Sequence, residues 1–142
     1  MRKARLALAI SFLSIAAKAQ KRPGRADMLL GEKIYVQHCM PCHQADGVGV
    51  QNMIPPLVKT DHVLGPKATL IKILLNGMNG EIKVNGDIYS NEMPSQAFLT
   101  DEEIAAVLTY VRKSFGNKAS SVSVGEVKKI RDAKKSNMPA IE

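Results

Sequence analysis

Apolar and polar positions follow two different periods along this chain, and each period predicts its own kind of element. Ile104, Val107, Leu108, Val111 and Phe115 recur at helical spacing and form one continuous apolar stripe. Thr100-Asp101-Glu102-Glu103 precedes them as a capping box with acids at the positive end of the dipole, and Gly116 suits the close. A first helix is predicted over Asp27 to His38, with Leu30, Ile34 and Tyr35 inward. Gly31 and Tyr35 share a face there, so the glycine would let a second helix approach closely. Pro66 to Asn76 predicts a middle helix, with Pro66 in its first turn and Gly77 at its end. The period drops to two around Asn85-Gly86, between Ile82, Val84 and Ile88, which predicts a β-hairpin over 82–89.

Gln44 to Thr60 has no period and holds Gly47, Gly49 and Pro55-Pro56, so it reads as a loop. Beyond Asn117 a Ser-rich connection reaches Ser123-Val124-Gly125-Glu126. That could open a short terminal helix with only Val127 and Ile130 apolar, and a solvated tail is the alternative. The chain shows no internal repeat and no second domain.

The first residues change the picture. A basic start at Arg2, Lys3 and Arg5, an apolar run from Leu6 to Ala17 and the Ala17-Lys18-Ala19 pattern read as a secretory signal over 1–19. The run is shorter than the roughly 20 residues of a bilayer span, so an exported protein without a membrane span is expected after cleavage. The organisation expected is a signal over 1–19, one domain over 27–117 and a basic C-terminal tail over 118–142. The formal charge of +7 misleads about partners. Asp27 to Asn117 holds seven basic and ten acidic residues, so the positive charge lies in the two ends. With aromatics sparse and no basic motif, nucleic acid is excluded as a partner. There is no tryptophan, and three Phe and three Tyr make a thin core that a large apolar group would fill.

The two cysteines of the chain are spaced to tether such a group. Cys39-Met40-Pro41-Cys42-His43 has the spacing of a c-type haem attachment site. Each thiol can form a thioether to one haem vinyl group, and the adjacent histidine becomes the proximal iron ligand. A thioredoxin-like redox pair would need a strand before the motif, and none is predicted. A zinc site would need a fourth ligand, for which His38 or His62 would have to serve. A plain disulfide leaves His43 unexplained.

These residues together resemble class I c-type cytochromes, from about Met28 to Asn117. The order matches that family: a helix with Gly31 and Tyr35, the Cys39-Cys42-His43 motif, Pro55-Pro56-Leu57, Asn76-Gly77-Met78, Met93-Pro94, then the helix carrying Leu108-Thr109-Tyr110-Val111. The resemblance implies an all-α cytochrome c-like domain around one covalent haem c and its iron. The hairpin and the stretch from Val124 to Ala133 resemble a bacterial branch whose members serve periplasmic dehydrogenases and reductases.

A sixth iron ligand would close the site and favour electron transfer over small-molecule chemistry. Met40 is trapped in the attachment loop, and Met28 and Met138 lie towards the ends. Met53 is close in sequence to His43, which leaves Met78 and Met93. The family resemblance points to Met93, before Pro94, with His62 as the nitrogen rival. It also implies that the Pro55 carbonyl accepts a hydrogen bond from His43. Leu57, Leu70, Leu74 and Leu108 are candidate haem walls or ordinary core.

The expected function is that of a periplasmic one-electron carrier, not an enzyme, meeting redox partner proteins as a monomer or in transient complexes. One alternative is a haem subunit held permanently on a dehydrogenase or reductase. Another is a five-coordinate haem protein that binds gases or acts like a peroxidase.

Overall fold

The computed structural model describes residues 24–136, so the signal expected over 1–19 and Met138 lie outside the described residues. In chain order come α1 (Arg25–Ile34), a π-helical segment (Tyr35–Cys39), α2 (Met40–His43), α3 (Asp61–Leu64) and α4 (Lys67–Asn76). The hairpin β1 (Ile82–Val84) and β2 (Asp87–Tyr89) follows, then α5 (Asp101–Lys113) and α6 (Val124–Ser136). The protein is thus helical with one two-stranded antiparallel sheet, as expected.

Helix α5 is the hub, packed against α1, α3, α4 and α6. Its capping box forms as predicted: Glu103 N–H donates to Thr100 Oγ1 at 3.2 Å, and Thr100 N–H donates to Glu103 Oε2 at 2.8 Å. Ile104, Val107, Leu108 and Val111 are all buried. Full burial of such side chains stabilises by about 1.5–3 kcal/mol each, more than the cap's roughly 1 kcal/mol. The fifth member of the stripe departs from the helix. Helix α5 stops at Lys113, and Phe115 and Gly116 both take positive φ, 56° and 73°. This reversal brings Asn117 back over the helix end, where its Nδ2 donates to the Val111 and Leu57 carbonyls.

At the α1–α5 crossing a Cβ on Gly31 would collide with the Ala106 carbonyl and meet Tyr110 Cβ at 2.7 Å. Only glycine lets the helices close to this distance. Ile34 and Tyr35 are buried as predicted, whereas Leu30 is 37% exposed. The first helix starts earlier than predicted, at Arg25, with Asp27 accepting from the Gly24 N–H at 2.9 Å.

From Lys118 to Ser136 the chain after Asn117 is not a solvated tail. Ser123 caps α6, exchanging hydrogen bonds with Glu126, and Val127 is fully buried. Thr109 Oγ1 donates to the Val122 carbonyl and accepts from its N–H, which ties the connection to α5. Arg131 bonds Asp101 and the Ala97 and Leu99 carbonyls, while Lys67 of α4 pairs with Glu126. The hairpin turns at Asn85-Gly86 as predicted, with positive φ at both and Val84 opposite Asp87, but Ile88 pairs with Lys83 and is exposed, so Tyr89 rather than Ile88 joins Val84 as a buried residue. Among the described residues no helix is long and apolar enough to cross a membrane.

Candidate functional site

Where a continuous helix was predicted to His38, the chain widens into the π-helical segment, and Met40 N–H donates to the Tyr35 carbonyl. The extra residue per turn carries Cys39 and Cys42 to the mouth of an apolar cleft and turns His43 inward. Cys39 is half-buried, Cys42 exposed and His43 buried. Tyr35 anchors this corner: its hydroxyl donates to the Gln44 carbonyl at 2.6 Å, and its ring packs on Tyr110 and Phe115. Gln44 then takes a positive φ of 66° and turns the chain into the loop.

The loop folds back onto the histidine. Gly49 N–H donates to the His43 carbonyl at 3.1 Å, and Leu57 N–H to the Gly47 carbonyl at 2.7 Å. Gly49 packs so tightly on the Ile54 and Pro55 carbonyls that no side chain fits there. His43 Nδ1 lies 3.0 Å from the Pro55 carbonyl oxygen. A carbonyl only accepts, so Nδ1 carries the proton and Nε2 keeps a free lone pair. Burial pushes the His43 pKa below its ordinary value, and the bond to Pro55 offsets this only in part. A neutral imidazole is the form a metal requires.

The cleft encloses about 980 Å³ including its open mouth. Leu57, Leu70, Leu74 and Leu108 all line it, and so do Pro55 and Met93. Ile82 and Val84 of β1, Val63 of α3 and Val107 and Val111 of α5 complete the apolar wall. The hairpin signal gave a turn but not its place against the cleft, so these strand residues were not legible as site residues. His62 also lines the cleft, on the short helix α3 rather than in a surface loop. Met78 lines it as well, whereas Met28, Met40 and Met53 do not.

A large apolar macrocycle tethered by two thioethers fits this arrangement: two sulfurs at the mouth, one imidazole nitrogen free inside, and hydrocarbon walls. A reactive thiol pair fits it less well. A nucleophilic cysteine needs a depressed pKa, but burial, then the neighbouring Cys42, pushes the Cys39 thiol up to about 11. The motif also follows helix, not strand. Among the described residues no cluster of three or more His, Cys, Asp or Glu is placed to hold a metal ion.

Residues 28–115 match the family model of cytochrome c. Over 116 residues the chain is 41% identical to cytochrome c-552 of Thermus thermophilus, covering 73% of this chain and 86% of that protein. It is 31% identical over 103 residues to the cytochrome c subunit of alcohol dehydrogenase (quinone) of Gluconobacter oxydans. That match covers 71% of this chain but 22% of the subunit. The fructose dehydrogenase cytochrome subunit of Gluconobacter japonicus is 33% identical over 112 residues, again 71% of this chain and 22% of the subunit.

Proposed function

The chain belongs to the cytochrome c family, electron-transfer proteins with covalent haem c, and we propose that it is a periplasmic one-electron carrier with iron held between His43 and Met93. Cys39 and Cys42 form the two thioethers, and the haem supplies the one-electron chemistry. The observation that carries this reading is a buried imidazole and a methionine wall lining one apolar cleft. The Pro55 carbonyl fixes the His43 ring, so the proximal ligand holds one orientation in both oxidation states. Met93 is partly buried against the core, and its thioether is a soft ligand that favours the reduced iron relative to a second histidine. The apolar walls keep water away and raise the cost of the extra ferric charge. Electrons cross at the open edge beside exposed Cys42, where redox partner proteins dock transiently.

The match to dehydrogenase cytochrome subunits supports a second reading, in which this domain stays bound to such an enzyme. Gel filtration of the native extract separates the two: a carrier elutes at the size of one chain.

Visible spectra of the purified protein and of Met93→Ala test the axial assignment. The expected wild type is low-spin and keeps its haem through acid extraction, while Met93→Ala turns high-spin. A wild type that is already high-spin and binds carbon monoxide readily would favour the gas-binding or peroxidase alternative.

A further inference from the structure

A second, more polar cavity opens between α3, the end of α5 and the connection to α6, and it shares no lining residue with the cofactor cleft. It encloses about 820 Å³ including its open mouth. Lys59, Arg112 and Lys118 line it together with Ser120, and no carboxylate does so among the described residues. We propose that this cavity binds a tetrahedral oxyanion of the phosphate or sulfate class, held by the Arg112 guanidinium within and by the Lys59 and Lys118 ammonium groups at the rim.

Arg112 is a buried charge without a counter-ion. It is 3% exposed, yet among the described residues no carboxylate lies within ion-pair distance of it. A buried charge is costly unless it is paired. Its Nε donates to the Ser120 carbonyl at 2.7 Å, and Nη1 donates to the Val63 and Gly65 carbonyls. These neutral acceptors solvate the guanidinium without cancelling its charge. Nη2 bears two hydrogens and meets only the Ser120 hydroxyl, at 3.4 Å. Glu126 is the acid whose field reaches Arg112, but it is bonded to Lys67 and Ser123. An oxyanion in the cavity would supply the missing charge and take up the Nη2 donors.

The surroundings are arranged for negative charge. Lys59 holds a left-handed backbone, with φ of 52°, which is uncommon for a residue with a side chain. The Asn117 side chain fixes that conformation by accepting from the Lys59 N–H at 2.8 Å. The lysine stem then lies over Gly116, where a Cβ would meet Lys59 Cε at 3.6 Å, and its ammonium stands at the rim. Carbonyls at the end of α5 would repel an anion, but they are already occupied. Those of Tyr110, Val111 and Arg112 accept from the Ser114 N–H, Asn117 Nδ2 and the Ala119 N–H. Asp61, close to Lys59 in sequence, is exposed and does not line the cavity. Because the guanidinium is buried within a concave site, a small ion reaches it where the acidic face of a partner protein does not.

Calorimetric titration of the haem-loaded full chain with sodium phosphate, at neutral pH and constant ionic strength, tests the proposal. One saturable event per chain is expected, and sodium sulfate should compete with it. Lys59→Gln and Lys118→Gln leave the Arg112 network in place, and together they should weaken binding about tenfold or more through the loss of charge-assisted contacts. Lys72→Gln with Lys129→Gln removes the same charge from exposed positions outside the cavity and should leave the affinity unchanged. No saturable heat in the wild type overturns the proposal, as does a phosphate affinity that survives Lys59→Gln with Lys118→Gln. Equal weakening by the two double variants also overturns it, since that would mean attraction to the net charge of the chain alone. None of these outcomes depends on which residue is the sixth iron ligand, so the axial assignment stands or falls separately.

Discussion

Met78 and Met93 exchange both of their backbone hydrogen bonds, each N–H donating to the other's carbonyl at 2.9 Å. Residues directly opposite in an antiparallel pair send their side chains to the same face. Both thioethers therefore belong to one wall of the cleft, which both residues line. The bridge is part of a longer seam between the end of α4 and the Met93–Gln96 segment. Ser95 Oγ donates to the Leu75 carbonyl at 2.9 Å, and Gln96 N–H to the Leu74 carbonyl at 2.7 Å. Gly77, with φ of 73°, closes the seam, because a Cβ there would collide with the Met93 carbonyl.

That seam makes Gly77 a test of how Met93 is held. Alanine there is strained twice, by its left-handed backbone and by the Met93 carbonyl. Gly77→Ala is expected to cost more than about 1 kcal/mol and to release part of the iron from Met93. A thermal melt should show the lower midpoint, and the visible spectrum a high-spin fraction. Met78→Ala should leave the spectrum low-spin, since its backbone bonds survive the substitution. If Met78→Ala alone abolishes the low-spin state, the ligand is Met78.

Gly31 tests the hub. Because its neighbours across the crossing are the Ala106 backbone and Tyr110 Cβ, neither can swing aside. Gly31→Ala should therefore destabilise by about 1–3 kcal/mol, the range of overpacked cores. Helix propensity pulls the other way, since alanine is better than glycine in an exposed helix by about 1 kcal/mol. Urea unfolding decides between them, and a stabilised variant would mean that α1 and α5 can move apart.

What the sequence made legible was local. The Thr100–Glu103 box, the Asn85-Gly86 turn and the Cys39–His43 motif each put cause and effect within a few residues. The features it hid depend on distant partners. Phe115 continues the helical stripe in sequence, yet the pull of Asn117 toward the Leu57 and Val111 carbonyls ends the helix two residues before it. Helix α3 is a single turn with one capping oxygen, and its backbone is held by Arg112, nearly 50 residues away in the chain. With α3 unseen, His62 looked like a loop histidine. Helix α6 carries few apolar residues, and its docking rests on Arg131, Glu126 and the connection bonded to Thr109, which hydrophobic periodicity does not register.

Asn117 ties the proximal loop to the hub. Its side chain accepts from Lys59 N–H and donates to the Leu57 and Val111 carbonyls, all between 2.8 and 2.9 Å, in a buried position. Asn117→Ala would strand these groups, at about 1–3 kcal/mol for each that water cannot reach. A loss of at least about 2 kcal/mol in urea unfolding is expected. Asn117→Asp keeps the acceptor for Lys59 but turns a buried carboxylate oxygen toward the Leu57 and Val111 carbonyls, so at neutral pH it should cost at least as much as Asn117→Ala.

Glu126 gives the docking of α6 a pH dependence whose sign can be worked out. Burial opposes its charge, but the Ser123 backbone and hydroxyl and the Lys67 ammonium outweigh that and hold its pKa below the ordinary glutamate value. A carboxylate whose folded pKa is depressed stabilises the fold above its unfolded pKa, about 4.3. The contribution fades as pH falls through that value toward the lower folded one, where both states are protonated. Because Glu126 is 41% exposed in its side chain, solvent screens the Lys67 pair and the effect is modest. Glu126→Gln should therefore melt below wild type at pH 7, and the gap should close under strong acid. Added salt should narrow the neutral-pH gap in the same direction, since it weakens the Lys67 pair and leaves the Ser123 cap in place. A gap that stays constant from pH 7 into acid would mean that the Glu126 charge contributes nothing, and that only the shape of its side chain matters to α6.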